Sequence, residues 1–495
     1  MVSVLALLGP SALVLLSAPA RLSPTRVRSA LLCDTGSVRQ AVPQCRHGSS
    51  SRRAALSRSA AAGASAVAAA IAPGAAAQAA ITKDSEWPLW LALPVAPYSR
   101  RKTIRREVGP GVWCFEQLIG IYYVHVPIRM TVLRLEAGGL FVYAPVAPTR
   151  ECLSLLQPLI DAHGPVKYIV LPSVAVEHKV NAGPFARAFP AAEFYAVDQQ
   201  YSFPVPLPSL FLGLPPWTRP LPRSSEGLDL WESELEHEVL TVKPGPGSYF
   251  QDVAFVHKPS RTLLICDAIL AVTEEPPPIL TCEPEYLRAL LFHARDAPTE
   301  VIADSPEARR KGWRRIVLLF NFFIPGAVQA DIGLGPLRRL DFSFEFGWGG
   351  WQPFAWRDTE LTSFERYSAG GKPTLLPIIQ IILNRGVGDG SLERWVRAVT
   401  KWDFERVVPA HLDAPLALGP KDFAAPFDFA KRGGNEVRFC DEDVALLREA
   451  ERGPLAFSVG KTTLGPLTGD ASCNLGKEGE ARVVSRELGL KWSPK

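Results

Sequence analysis

The chain has 495 residues, 47% apolar and 21% charged, a balance that excludes wholesale disorder and leaves room for two or three average domains or one large domain with extensions. Its formal net charge is +4, yet the first 79 residues hold eight arginines, no lysine and a single acid, Asp34, so the remainder carries −3. A body without basic excess lacks the electrostatic motive for binding nucleic acid.

Residues 1–79 read as three sorting signals in series. Residues 2–16 are nearly all apolar, broken by Ser3, Gly9-Pro10 and Ser11. The run is too short for a spanning helix, and it ends in Ser17-Ala18-Pro19-Ala20, a small-residue cleavage pattern. Residues 21–50, rich in Arg and Ser and almost free of acid, have the composition of an organelle transit peptide. Ser51-Arg52-Arg53-Ala54-Ala55-Leu56 is a twin-arginine pattern, followed by an alanine-rich stretch and Ala77-Gln78-Ala79, an A-x-A site. The series resembles the import path into a plastid and on to the thylakoid lumen. The stroma is the alternative if the paired arginines are incidental. Plain secretion leaves residues 21–79 unexplained. The mature chain is expected to begin near Ala80.

After residue 80 no window holds 18 uninterrupted apolar residues, so the mature chain is expected to have no transmembrane helix. Residues 130–135 alternate, Gly138-Gly139 turns the chain, and residues 140–143 return as a hairpin. Cys152, Leu155, Leu156, Leu159 and Ile160 share a helical face ended by Gly164, with Pro158 expected to kink or split it. Residues 166–171 are a buried-strand run. Residues 238–242, 252–257 and 262–266 are further strands, the last two joined by a turn over 258–261. A proline-rich loop occupies 204–227, and residues 341–356 are rich in aromatics and glycine. Two helical patterns fill 373–400, and 406–408 leads into a last strand. Past residue 431 the expectation is one helix, 441–451, and a loose tail. Strands, strand–helix–strand units, helices and a closing strand predict a layered α/β fold rather than a doubly wound one. The implied division is a targeting region 1–79, a main domain 80–430 and an extension 431–495.

The chemistry-bearing residues follow strands. Ser173-Val174-Ala175-Val176-Glu177-His178 follows 166–171, Pro244-Gly245-Pro246-Gly247-Ser248 is a later turn, Asp267 ends 262–266, and His411 ends Arg406-Val407-Val408-Pro409-Ala410. This series resembles the metallo-β-lactamase superfamily, whose motif is His-x-His-x-Asp-His, then a His in a glycine-rich turn, a bridging Asp and a final His. More narrowly, Gly164-Pro165-Val166-Lys167-Tyr168-Ile169-Val170-Leu171-Pro172, Glu177-His178-Lys179, Gly183-Pro184-Phe185-Ala186-Arg187, Ser260-Arg261-Thr262-Leu263-Leu264, Asn384-Arg385-Gly386 and Val408-Pro409-Ala410-His411 resemble a family of plant, algal and cyanobacterial proteins known as domain of unknown function 4336. The resemblance covers about residues 85–430. It implies a four-layer αββα sandwich, two mixed sheets face to face with helices outside, and a plastid setting.

The resemblance also sorts the site. Ser173, Ala175 and Pro244 stand where the first metal's histidines would be. Glu177, His178, Asp267 and His411 stand at the second metal's positions. Two imidazoles and two carboxylates suit one zinc, iron or manganese ion. Glu177 in place of Asp moves its oxygen outward by about 1.5 Å. The bland reading makes these residues relics held by hydrogen bonds. Two functions stay open. The favoured one is a non-catalytic binding or assembly factor with a protein or small-molecule partner. The other is a mononuclear metal-dependent hydrolase whose ion polarises the substrate and acidifies bound water. In either case His178, Asp267 and His411 are expected to converge in one cleft.

Other signals are weak. Cys114, Cys152, Cys266, Cys282, Cys440 and Cys473 show no C-x-x-C spacing, and Cys152 and Cys266 read as packed thiols. His125, His163, His237, His257 and His293 form no metal spacing. His257, at a strand end near Asp267, reads as structural. Trp348, Trp351 and Trp356, with residues 363–367, read as core rather than a pocket mouth. No phosphate-binding loop and no Gly-x-Ser-x-Gly elbow occurs.

Overall fold

The computed structural model describes residues 83–87, 101–200, 209–330, 352–430, 439–447, 471–475 and 481–485, except positions 122, 229 and 246–247. The targeting region 1–79, and Trp348 and Trp351 with most of 341–356, lie outside the described residues.

Seven strands form the first sheet, in the order β1 (Ile104–Gly109), β2 (Val112–Ile121), β3 (Val124–Arg134), β4 (Leu140–Tyr143), β5 (Val166–Leu171), β6 (Glu193–Ala196) and β7 (Arg219–Pro220). β1 to β4 are antiparallel neighbours. β4 to β7 are parallel, with β4–β5 and β5–β6 joined by crossovers through α1 (Arg150–His163) and α2 (Val176–Ala188). The β3–β4 hairpin turns where expected, at Gly138 and Gly139, whose φ angles of +82° and +91° are the left-handed region glycine enters without a Cβ penalty.

The second sheet begins with β8 (Leu235–Gly245), β9 (Ser248–His257) and β10 (Thr262–Ile265), all antiparallel neighbours. The chain then runs through α3 (Pro284–Ala294), α4 (Pro306–Phe322), the ribbon of β11 (Val328–Ala330) and β12 (Phe354–Trp356), and α5 (Glu360–Ser368), α6 (Pro377–Gly388) and α7 (Ser391–Val399). It returns as β13 (Arg406–Pro409), parallel to β10, which completes the order β13-β10-β9-β8. Helices α6 and α7 lie on β8, α3 and α4 against β3, and α2 against β5.

Between the sheets, Phe141, Tyr143 and Val170 of the first meet Phe255, Leu264 and Val408 of the second in one buried cluster. The Tyr143 hydroxyl crosses the gap and donates to Val253 O (2.7 Å). Trp231, beside β8, fills the centre of this layer, with rings of Phe141, Tyr168, Tyr195, His237 and Phe255 within 4.9–5.8 Å. The αββα sandwich expected from the sequence is therefore the architecture, and no helix among the described residues is long and apolar enough to cross a membrane.

Several expectations need correction. Pro158 does not split α1, which is unbroken from Thr149, whose hydroxyl accepts from Cys152 N (3.1 Å), to Gly164, which donates to Ile160 O (2.8 Å). A proline removes one helical hydrogen bond, and here buried Cys152, Leu156 and Leu159 anchor the turns around it. His257 pairs with Thr262 and so sits at the opposite end of β10 from Asp267, where its Nδ1 faces Ser260 Oγ (2.7 Å). β13 is not the last strand: β14 (Ala471–Leu475) and β15 (Ala481–Ser485) pair antiparallel within the supposed loose tail. Backbone pairing makes that ribbon, and its mixed polar sequence carries little alternating signal. Of the helix expected over 441–451, residues 441–444 are turn, 445–447 are helical and the rest lies outside the described residues. The core reading of residues 363–367 holds at Tyr367, which is buried with its hydroxyl donating to Asn321 Oδ1 (2.5 Å).

The extension is tied to the sandwich by Asp443, which accepts from Gly326 N (2.8 Å) and is 1% exposed. Burial pushes its pKa up to about 6, against hydrogen bonds from Ser363 and Gly326. The folded state therefore holds this proton more tightly than the unfolded chain. Its contribution is full below the unfolded value of about 3.9 and is lost as pH rises through about 6. Asp443→Asn keeps an acceptor and never ionises, so it is expected to raise stability at pH 8 by on the order of 1–3 kcal/mol and to change nothing at pH 4. Equal shifts at both pH values in denaturant melts would refute this account.

Candidate functional site

The site forms where carboxyl ends of strands from both sheets meet. After β5 the chain turns at Ser173 and enters α2, whose first turn carries Glu177 and His178. Asp267 follows β10 by two residues and His411 follows β13 by two. Residue 411 also bridges to Ile128 of β3, so the final histidine is held by the first sheet as well as the second.

The side chains converge. His178 Nε2 is 3.1 Å from His411 Nε2 and 3.7 Å from Asp267 Oδ1, and His411 Nε2 is 3.3 Å from the same oxygen. His178, Asp267 and His411 are 0%, 6% and 3% exposed, so these contacts are nearly water-free. The His411 Nδ1 lies 3.0 Å from Pro127 O. A carbonyl only accepts, so Nδ1 carries a proton, and Nε2 is the ring atom turned to the site. Two ring nitrogens and a carboxylate oxygen this close require something positive among them, a proton or a cation. Burial works against a charge on His178, but the hydrogen bond and charge of Asp267 outweigh it and its pKa lies above the usual histidine value. Burial would likewise raise Asp267, but His178 and His411 hold it well below the usual carboxylate range.

The surroundings fix this geometry. Asp252, on β9, accepts from three successive main-chain groups, Cys266 N (3.1 Å), Asp267 N (2.7 Å) and Ala268 N (2.6 Å), and so shapes the turn that presents Asp267. Burial and the neighbouring Asp267 charge push its own pKa up. Ser173 accepts from Ala175 N (3.1 Å) and donates to Asp267 Oδ2 (3.1 Å), so the second carboxylate oxygen is also engaged. Ala175 and Pro244 offer no side-chain donor atom.

Glu177 is placed differently from its neighbour. Ligand atoms of His178, Cys266 and Asp267 lie within 4.8 Å of one another, and His411 Nε2 lies 3.1 Å from His178 Nε2 and 3.3 Å from Asp267 Oδ1. Adjacent residues on a helix point about 100° apart, and Glu177, buried at 8% exposure in the first turn of α2, presents its longer side chain from a different side of the helix than His178. Sequence reasoning missed Cys266 as a neighbour of the site because an apolar strand pattern marks it only as a packed thiol. It is buried, and burial pushes its thiol pKa up. Asp252 was also missed; a carboxylate within the otherwise largely apolar run of β9 was the available signal. A surface cleft of about 740 Å³, lined by residues such as Glu236, Lys258 and Lys401, includes none of these donors.

A family model described as a domain of unknown function, DUF4336, matches residues 110–429. No curated protein matches the chain. Among solved structures, the chain is similar to the FIM-1 metallo-β-lactamase of Pseudomonas aeruginosa in its mono-zinc form, at 10% identity over 33% of this chain and 67% of that one, with a TM-score of 0.26. It is similar to the metal-soaked Flv1 flavodiiron core of Synechocystis, at 10% identity over 67% of this chain and 61% of that one, with a TM-score of 0.33. It is also similar to a metallo-β-lactamase of Hirschia baltica, at 10% identity over 43% of this chain and 97% of that one, with a TM-score of 0.27.

Proposed function

The chain belongs to the DUF4336 family, and from that premise we propose that it is a binding or assembly factor whose metallo-β-lactamase-like sandwich holds one buried metal centre at His178, Asp267 and His411. The observation that carries this reading is the spacing of three buried donor atoms, 3.1, 3.3 and 3.7 Å apart. Ligands about 2.0–2.2 Å from a tetrahedral ion stand roughly 3.3–3.6 Å from one another. Two imidazoles and a carboxylate suit zinc, iron or manganese. Glu177 adds negative charge beside His178.

The same surroundings favour holding an ion over hydrolysis. Catalysis needs an open position for water. Here the donors are buried, Ser173 engages the remaining oxygen of Asp267, and Cys266 stands within 4.8 Å of His178 and Asp267, which leaves little room for water and substrate. Ala175 and Pro244 cannot supply a second ion. Elemental analysis of the purified full-length chain is expected to find one zinc, iron or manganese per chain, lost in His178→Ala. A chain without metal sinks the ion, and metal-dependent turnover of an ester, amide or thioester sinks the non-catalytic role.

The proposed setting is a plastid, with the thylakoid lumen ahead of the stroma. Support comes from the serial signals of residues 1–79 and from Cys440, which is disulfide-bonded as suits an oxidising compartment. Arg52→Lys with Arg53→Lys is expected to leave a stromal intermediate. An unchanged final location of the tagged variant in fractionated plastids would make the twin arginine incidental.

A further inference from the structure

We propose that Arg129 is a positioning residue for His411: its guanidinium, reaching from the first sheet, grips the main chain on both sides of the histidine and sets where the ring stands. The inference deepens the metal-centre reading and rests on it for its effect on ion binding, though not for the geometry.

Arg129 lies midway along β3 and is 1% exposed. Its main-chain N donates to Ala410 O (2.8 Å), its Nη1 to Pro409 O (2.5 Å) and its Nη2 to Leu412 O (2.6 Å). One residue thus satisfies three of the four carbonyls from 409 to 412. Two residues earlier on the same strand, Pro127 O receives the His411 Nδ1–H. A short stretch of β3 therefore fixes both the backbone of the histidine and the rotation of its ring.

The grip is needed at this point. Leu412, directly after His411, has φ +56°, a left-handed conformation that costs a residue with a Cβ and persists only where the surroundings over-determine it. Arg129 binds the carbonyl of that same residue. The guanidinium is in turn held by Glu116, directly opposite on β2, whose Oε1 accepts from Arg129 Nε (2.9 Å) and from Arg106 Nη2 (2.5 Å). Arg106 also donates to Ala414 O (3.1 Å), so both arginines on this carboxylate end on the segment carrying His411. A planar fork can span Pro409 O and Leu412 O at once, which a lysine ammonium cannot do with the same geometry. A buried charge pair is a poor source of net stability. Its directed bonds account better for where it sits.

The test uses full-length chain labelled with ¹⁵N-histidine, in Arg129→Lys, Arg129→Gln and Glu116→Gln, with Val399→Ala as a control for general destabilisation far from the site. Two readouts are taken well below each melting temperature. One is the ring ¹⁵N signal of His411, assigned with His411→Gln. The other is zinc affinity by competition with a chromophoric chelator. Arg129→Lys keeps the charge facing Glu116 and is expected to fold, to move the His411 signal away from the Nδ1-protonated position, and to weaken zinc binding about 10–100-fold. Val399→Ala is expected to change neither. The proposal is overturned if Arg129→Lys leaves the His411 signal in place, or if Val399→Ala moves it equally. If Arg129→Gln does not fold, Arg129→Lys and Glu116→Gln decide. If the unaltered chain binds no zinc, the metal-centre reading falls, and the ring signal alone still decides the role of Arg129.

Discussion

Replacing Trp231 with alanine is expected to lower the unfolding free energy by about 3–5 kcal/mol, among the largest losses open to a single substitution in this chain. The indole is 2% exposed and meets rings from β4, β5, β6, β8 and β9, so its removal opens a void in the layer shared by both sheets. It also strands a polar atom. Trp231 Nε1 donates to His237 Nδ1 (3.1 Å), while His237 Nε2 faces Pro222 O (2.9 Å). The buried His237 Nδ1 would be left without its donor. Trp231→Phe keeps a six-membered ring in this layer but loses the N–H and part of the indole area, so it bounds how much of the loss the remaining ring contacts recover. Denaturant melts should show the alanine variant with a much lower midpoint and the phenylalanine variant in between. A loss below about 1 kcal/mol for alanine would contradict the central place given to this ring.

Removing the proposed ion is the second large effect. A ligand that binds only the folded state stabilises it by RT ln(1 + [L]/Kd), about 4 kcal/mol when the free ion stands at a thousand times Kd. Thermal melts with excess zinc are therefore expected to lie well above melts with chelator, and the gap should vanish in Asp267→Ala. The carboxylate is the donor to test because its Oδ1 lies near both imidazole nitrogens. Identical melts with and without chelator would return His178, Asp267 and His411 to the status of a hydrogen-bonded relic.

Much of the second sheet and half of the first are legible in the sequence, for an identifiable reason. Runs such as those of β5 and β10 are buried on both faces and carry β-branched residues, so they announce themselves. β1 does not, because Arg105, Arg106 and Glu107 interrupt it and it lies at the sheet edge. β2 is masked by Glu116 and Gln117, buried polar residues whose partners Arg106, Arg129, Thr103 and Ala147 are supplied only by the fold. The same distinction runs through the site. The order of His178, Asp267 and His411 at strand ends is visible as motif. The placement of Glu177 in the first turn of α2, beside His178, depends on where that helix starts. The supports from Asp252, Ser173 and Arg129 depend on tertiary contacts that leave no local pattern.

The contact between His178 and His411 closes a chain segment of 233 residues. Pairing so distant in sequence is slow to form, because loop-closure entropy is lost before any contact rewards it. A refolding chain cannot offer both nitrogens to an ion until β13 has docked beside β10. An ion that reads only this late geometry leaves the refolding rate almost unchanged and acts on the reverse step, where the strand ends must part before it can leave. Its contribution is thus to the lifetime of the folded sandwich: chelation should quicken unfolding, with the refolding arm of the same kinetic experiment left in place.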